Sequence, residues 1–98
     1  MLTQDKIREA VRTVAPKYNI ENVYLFGSYA RGDATEDSDC DLRIVGGDIP
    51  TLYELGGLFE DLIEALGLSV DIVLTKNMKA DFYKWIKDDE VLIYDGLQ

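Results

Sequence analysis

Residues 24–42 read YLFGSYARGDATEDSDCDL, and this stretch decides the fold. It opens within an apolar run of strand-type residues over 23–26, which Gly27 and Ser28 break. A polar stretch rich in acidic residues follows, and the chain becomes apolar again over 42–45. The pattern predicts a strand, a loop and a second strand, with the Gly-Ser pair at the end of the first strand.

Two pairs of residues in this stretch carry chemistry. Gly27 has no Cβ, so a ligand can approach the backbone closely, and Ser28 adds a hydroxyl beside a turn whose N–H groups can hold phosphate oxygens. Asp39 and Asp41 are two residues apart at the start of the second strand and point to the same face. Their carboxylates repel each other, and Mg²⁺, which also takes phosphate oxygens and water, removes that cost. The stretch predicts metal-assisted chemistry at a nucleotide phosphate.

The spacing of these pairs, Gly27-Ser28, ten residues, then Asp39-x-Asp41, resembles the signature of the DNA polymerase beta-type nucleotidyltransferase superfamily. The fuller wording, GSYARG and then SDCDL, is most similar to the minimal nucleotidyltransferases, small prokaryotic proteins often encoded beside a helical HEPN partner. The resemblance covers nearly the whole chain. It implies an α/β fold of the α+β type, with a small mixed β-sheet and helices packed mainly on one face.

The resemblance also implies an activity and a partner. A nucleoside triphosphate, most readily ATP, would give its nucleoside monophosphate to a hydroxyl of a protein acceptor. Gly27 and Ser28 would hold the triphosphate, while Arg31 either adds charge there or fixes the loop. The family partner is often a toxic HEPN ribonuclease, for which the minimal nucleotidyltransferase is the antitoxin, in some cases by placing AMP on a tyrosine. Two alternatives stay open: a non-catalytic module that neutralises its partner by docking, and a small-molecule (antibiotic-type) nucleotidyltransferase.

Asp71 is the acidic residue of an otherwise apolar strand predicted over 68–74. A charge in such a strand needs water, a salt bridge or a metal ion. The resemblance favours the metal, because the family pattern places an acidic residue on this strand. Asp39, Asp41 and Asp71 are then the catalytic residues and the ligands of two Mg²⁺, and Asp71 can also take the proton of the attacking hydroxyl.

The second strand has two faces by parity. Cys40, Leu42 and Ile44 point one way, and Asp39, Asp41 and Arg43 point the other. One apolar and one polar face predict a sheet covered by helices on one side, with the open side as the active cleft. Cys40 is interpreted as a buried small hydrophobe, and Arg43 either as an ion-pair partner of the aspartates or as a substrate contact.

In the chain, helices are predicted before the first strand and after the second strand. Thr3 caps a first helix that Pro16 ends, and Thr51 with Glu54 forms a capping box for a second helix that Gly67 ends. The apolar stripe of this second helix is Leu52, Leu55, Phe59, Leu62, Ile63 and Leu66.

Two features of the later chain are open to more than one interpretation. Gly56 and Gly57 inside the second helix predict close approach of another backbone or a kink, with a docked partner as the functional alternative. Asn77 is expected to cap the last helix, before a short closing strand over 91–94. The apolar residues of this last helix are assigned to core packing rather than to base stacking: Met78, Phe82, Trp85 and Ile86.

The composition of the chain limits the kinds of partner that it is expected to bind. The 98 residues fit one domain over 1–98, and 19 acidic against 10 basic residues give a net charge of −9. Nucleic acid is bound through Lys and Arg, so long DNA or RNA is not expected, whereas a basic protein partner fits. The chain has one cysteine, no long apolar run and no secretory pattern, which predicts a cytoplasmic protein without a membrane span. A homo- or hetero-oligomer is expected if a partner completes the site.

Overall fold

The computed structural model describes residues 2–97, whose four strands form one mixed sheet in the order β3-β2-β1-β4. The strands are β1 (Ile20–Phe26), β2 (Cys40–Gly46), β3 (Val70–Leu74) and β4 (Val91–Asp95). β1 is antiparallel to both β2 and β4, whereas β2 and β3 are parallel. The mixed sheet predicted from the sequence is therefore confirmed.

Four helices accompany the sheet. They are α1 (Gln4–Val14), α2 (Ser28–Arg31), α3 (Leu52–Leu66) and α4 (Ala80–Ile86), with 3₁₀ turns at Ala15–Tyr18 and Thr75–Asn77. α3 is the crossover that parallel β2 and β3 require, since parallel neighbours cannot be joined by a hairpin. Within residues 2–97, no helix is long and apolar enough to cross a bilayer.

One face of the sheet packs against α1 and α3 and forms the core. Thr3 accepts a hydrogen bond from the N–H of Lys6 and caps α1, as predicted. The parity prediction for β2 is also confirmed, because its inward residues are almost fully buried. Core residues on these elements are Ile7, Val11, Val14, Val23, Leu25, Cys40, Leu42, Ile44, Leu58, Leu62 and Leu66.

The predicted apolar stripe of α3 is wrong at two positions. Leu52 is 84% exposed and Ile63 is also exposed, whereas Leu58, absent from the predicted stripe, is fully buried. Apolar residues occur around much of this helix, so the sequence does not fix which side meets the sheet. The capping box of Thr51 and Glu54 is present as predicted.

The two glycines inside α3 leave the helix unbroken. A Cβ on Gly57 would lie 2.9 Å from the Tyr18 hydroxyl, while Gly56 has no heavy atom within 4 Å of such a Cβ. Tyr18 donates a 2.8 Å hydrogen bond to Asp61, and burial, followed by this bond, raises the pKa of Tyr18 to about 12. The close approach predicted at this pair is therefore made by a side chain at Gly57 and not by a neighbouring backbone.

The start of the sheet extends beyond the predicted ranges. β1 begins at the buried Ile20 instead of at residue 23, and the chain is already paired with β2 there. The predicted start is too late because the polar Glu21 and Asn22 resemble a connector. The segment predicted as a loop after Gly27 also begins with α2.

The opposite face of the sheet carries α4 and a buried arginine. Arg43 is 7% exposed, and its Nε and Nη2 donate to both carboxylate oxygens of Glu90 at 2.5 and 2.9 Å. Nη1 donates to Thr75 at 3.0 Å, and the guanidinium lies between the rings of Tyr24 and Tyr83 at 4.4 and 5.1 Å. The ion-pair interpretation of Arg43 is confirmed, but its expected partners, the aspartates, are wrong. Glu90 lies far along the chain, and no local pattern connects the two residues.

The predictions for α4 are partly wrong. Asn77 does not cap it, because the helix begins at Ala80 after Lys79, which makes no side-chain cap. Ile86 is buried as expected, whereas Trp85, assigned to the core, is 80% exposed. The reason is that α4 covers only part of its face of the sheet and leaves a cavity beside it.

We expect Arg43→Met to lower the free energy of unfolding by about 3–5 kcal/mol, because it leaves the buried Glu90 carboxylate without a cation. Urea denaturation of purified protein measures this loss. Arg8→Met is the matched control, since Arg8 pairs with the exposed Asp5 at 3.2 Å and such a pair contributes about 0–1 kcal/mol. Equal small losses in both variants would contradict a structural role for the Arg43–Glu90 pair.

Candidate active site

Strand register brings two carboxylates together. Asp41 on β2 is directly paired with Asp71 on β3, and it also faces Phe26 at the end of β1. Since Gly27 follows Phe26, the Gly-Ser turn lies beside the same carboxylates. These residues line one cavity of about 500 Å³ on the face of the sheet that α4 partly covers.

The cavity has polar and apolar residues in its lining. The polar group is Gly27, Ser28, Arg31, Asp41, Asp71 and Asp89. The apolar group is Phe26, Val73, Phe82, Trp85 and Ile86. An apolar pocket with a few convergent polar groups is the usual form of a small-molecule site.

Gly27 is required by the geometry of the turn. Its φ of 74° and ψ of −154° lie in a region that only glycine occupies without strain. A Cβ here would also overlap a carboxylate oxygen of Asp41. Its carbonyl oxygen accepts from the N–H groups of Ala30 and Arg31 at 3.1 and 3.0 Å, which starts the short helix α2 directly after the turn.

Asp41 is the most perturbed acid in this part of the chain. Burial, then the nearby charges of Asp71 and Asp39, raise its pKa from the ordinary 3.8 to about 6, while Arg31 opposes the shift. A carboxylate held beside other carboxylates in a half-buried position is costly when ionised. The fold therefore maintains a concentration of negative charge that a cation would neutralise.

The site fits a hard divalent cation. Asp41 and Asp71 offer oxygen ligands beside a cleft, and the absence of a Cβ on Gly27 makes room for the Asp41 carboxylate. Across residues 2–97, no three acidic, histidine or cysteine side chains are grouped as a complete metal site. Mg²⁺ at nucleotide sites takes only one or two carboxylates and completes its shell with phosphate oxygens and water. The chemistry of the Asp41–Asp71 pair agrees with that requirement.

The structure places Asp39 differently from its two companions. It precedes β2, is exposed, and does not line the cavity, although its charge contributes to the raised pKa of Asp41. Its assignment as a metal ligand stays a prediction.

The contacts of Arg31 fit both roles considered for it, fixing the loop and adding charge for the triphosphate. Its guanidinium is 3.3 Å from Asp33 in the following loop and 3.8 Å from Asp89 beyond α4, and the side chain lines the cavity. Both ion pairs are exposed, so each is weak and can be exchanged for a stronger anion. The loop contact and a ligand contact are thus compatible.

Cys40 stays outside this chemistry, as predicted. It is fully buried on the core face, and burial, then the Asp41 charge, raise the pKa of its thiol to about 12. The thiol is therefore protonated and inert at neutral pH.

Sequence reasoning missed the contribution of α4 to the cavity. The cavity is lined by Phe82, Trp85 and Ile86 of α4 and by Asp89 shortly after it, which follow a helical spacing of three and four residues. This periodicity is visible in the sequence, but a helix face directed to an open cleft has the same pattern as one directed to a core.

Comparison with known families gives the class. The profile of the family described as Polymerase beta, Nucleotidyltransferase matches residues 9–96. The chain therefore belongs to this nucleotidyltransferase family, and the resemblance carried by the Gly-Ser turn and the Asp-x-Asp pair is confirmed.

The chain is also similar to particular proteins and solved structures. The protein adenylyltransferase MntA of Thermococcus cleftensis is 32% identical over 97 residues, covering 95% of this chain and 98% of that protein. A solved structure provisionally assigned as a minimal nucleotidyltransferase is 30% identical with a TM-score of 0.76, over 92% of this chain and 95% of the other. A chain in a crystal structure of a toxin–antitoxin with AMP-PNP is 26% identical with a TM-score of 0.75, over 96% and 74% of the two chains.

The raised pKa of Asp41 makes stability depend on pH. Because the folded-state pKa of about 6 exceeds the ordinary 3.8, folding takes up a proton, and the associated stability is present below pH 4 and lost as pH rises through about 6. Asp41→Asn removes the costly ionised carboxylate. In EDTA, its melting temperature should exceed that of the wild type at pH 7.5, and the difference should shrink towards pH 4.

Asp37→Asn is the control for this measurement, since Asp37 is exposed in the loop and does not line the cavity. Differential scanning calorimetry should show no comparable pH-dependent gain in the control. A gain for Asp41→Asn that is the same at pH 4 and pH 7.5 would contradict the electrostatic explanation.

Gly27→Ala tests the geometry of the turn. We expect it to weaken ATP binding and to destabilise the fold, because the backbone conformation alone costs about 1–3 kcal/mol and the new methyl group overlaps Asp41. Gly32→Ala is the matched control, with a φ of 86° and open space around its Cβ. It should destabilise by about 1–2 kcal/mol and leave ATP affinity, measured by calorimetry, unchanged. Equal ATP affinities in the two variants would contradict a role for Gly27 at the site.

Proposed function

We propose that this chain transfers AMP from ATP to a hydroxyl of a protein acceptor, and that it serves as the antitoxin of a HEPN-type toxin. One observation carries the proposal: the Gly27-Ser28 turn and the Asp41–Asp71 pair line a single cavity. Membership in the nucleotidyltransferase family and identity to a protein adenylyltransferase support the reaction class. Similarity to a chain of a toxin–antitoxin complex supports the antitoxin role.

The turn and the arginine hold the triphosphate. Gly27 allows the phosphates to approach the backbone, and the Ser28 hydroxyl and neighbouring N–H groups donate hydrogen bonds to them. Arg31 exchanges its exposed ion pairs for a charge-assisted contact with a phosphate. These contacts orient the α-phosphorus towards the acceptor.

The carboxylates act at the reacting atoms. Asp41 and Asp71, with Asp39 nearby, are the ligands proposed for Mg²⁺, expected as two ions, which would supply charge stabilisation to the entering and leaving oxygens. In the transfer, a bond forms between the acceptor oxygen and the α-phosphorus, and the bond from that phosphorus to the bridging oxygen of the β-phosphate breaks. Asp71 is exposed beside the cleft and takes the proton of the acceptor hydroxyl, while pyrophosphate leaves.

The shape and charge of the chain favour a protein acceptor. The cavity is open on the face of the sheet that α4 covers only in part, so a bound partner can supply the remaining wall. A net charge of −9 attracts a basic protein, and HEPN-type ribonucleases act on an anionic substrate, for which a basic surface is suited. A docking module without catalysis is the second candidate, since Asp39, one of the three carboxylates expected at the metal site, does not line the cavity.

Calorimetry of ATP separates these two functions. We expect binding to require Mg²⁺, to be lost in EDTA and in Asp41→Asn, and to be retained in the Asp37→Asn control.

With extract of the source organism as acceptor, label from [α-³²P]ATP but not from [γ-³²P]ATP should enter protein. Asp41→Asn should lower this labelling by roughly 100-fold or more, since it removes a charge placed at the reacting phosphate.

Metal-independent ATP binding, or labelling that Asp41→Asn leaves unchanged, would contradict the proposed mechanism. Neutralisation of a toxin by Asp41→Asn as efficient as by the wild type would instead favour the docking module.

A further inference from the structure

Trp85 is exposed at a position whose helical spacing predicts burial. It is the single tryptophan of the chain and is 80% exposed, yet it shares the cavity lining with Phe82 and Ile86, its neighbours on one face of α4. A tryptophan directed to solvent over an open cleft leaves a large apolar surface without contacts. Its position is therefore unexplained by the folding of this chain alone.

Aromatic contacts connect Trp85 to the phosphate end of the cavity. The rings of Phe26 and Phe82 meet edge to face with centroids 6.0 Å apart, and those of Phe82 and Trp85 meet in the same way at 6.4 Å. Phe26 precedes Gly27, so the aromatic series begins directly beside the Gly-Ser turn. Edge-to-face contacts hold each ring in a defined orientation and leave a face of the terminal indole available for stacking.

We propose that Trp85 binds the nucleobase of the nucleoside triphosphate by stacking against it in this cavity. This inference rests on the proposed function, because it assumes that the triphosphate lies at Gly27 and Ser28. A nucleoside triphosphate has a polyanionic end and a flat aromatic end, and the cavity offers both polar and aromatic residues to them. Every base has a π-face, so stacking here contributes affinity without selecting one base.

An aromatic side chain of the acceptor is the competing occupant. Two facts favour the base. Trp85 lines the same cavity as the residues assigned to the phosphates, and the aromatic series starts at the residue adjoining the turn. An acceptor ring would need the side of the cleft where its hydroxyl reaches the α-phosphorus, beside Asp71.

The test compares ATP with inorganic tripolyphosphate, both with Mg²⁺, by calorimetry on wild type and Trp85→Ala. Removing one stacking partner should weaken ATP binding roughly 5- to 150-fold and leave tripolyphosphate affinity unchanged. Trp85→Phe, which keeps an aromatic face, should recover part of the loss. Tyr53→Ala is the matched control, because Tyr53 is 86% exposed on α3 and lies outside the cavity, and it should change neither affinity.

Intrinsic fluorescence gives an independent readout, since its indole signal comes from Trp85 alone. ATP should quench it, and tripolyphosphate should not. Equal ATP affinity in wild type and Trp85→Ala would overturn the inference, and a loss of acceptor labelling without loss of ATP affinity would assign the indole to the acceptor. Wild type that binds neither ATP nor tripolyphosphate would contradict the proposed function itself. Wild type that binds ATP no more tightly than tripolyphosphate would contradict only the role of Trp85.

Discussion

The parallel pairing of β2 with β3 imposes the constraint on which the site depends, since it holds Asp41 beside Asp71. Two carboxylates in this position repel each other, and the repulsion together with burial makes ionised Asp41 unfavourable. The buried core on the other face of the sheet supplies the stability that keeps them together, since fully burying one large aliphatic side chain contributes about 1.5–3 kcal/mol. The unfavourable charge is thus fixed in place before any ligand binds, which is the preorganisation that electrostatic catalysis requires.

The two faces of the sheet differ in how completely helices cover them. α1 and α3 cover one face completely enough to form the core, whereas α4 lies on the other face and leaves a cavity. The buried Arg43–Glu90 pair, flanked by Tyr24 and Tyr83, holds the chain after α4 against β2. This pair therefore ties the segment that follows α4 to the face of β2 that also carries Asp41.

The sequence predicts the parts of this arrangement that depend on local patterns. Alternation along β2 predicts correctly that Cys40 is buried and that Asp41 faces the opposite side, and the Gly-Ser turn predicts the end of β1. The features it does not predict depend on the tertiary arrangement. The pairing of Arg43 with Glu90 joins residues far apart in the chain, and the exposure of Trp85 follows from how much of the sheet α4 covers. Helical periodicity shows that one face of α4 is apolar, but it cannot show whether that face meets a core or a cleft.

A crystal structure of the chain with Mg²⁺ and a non-hydrolysable ATP analogue would show directly whether nucleotide and metal bind in this cavity. We expect the triphosphate at Gly27 and Ser28, the cation bound by Asp41 and Asp71, and the base against Trp85. An analogue bound at another surface, or with its phosphates away from the Gly-Ser turn and no cation at the two carboxylates, would contradict the assignment of this cavity as the nucleotidyl-transfer site.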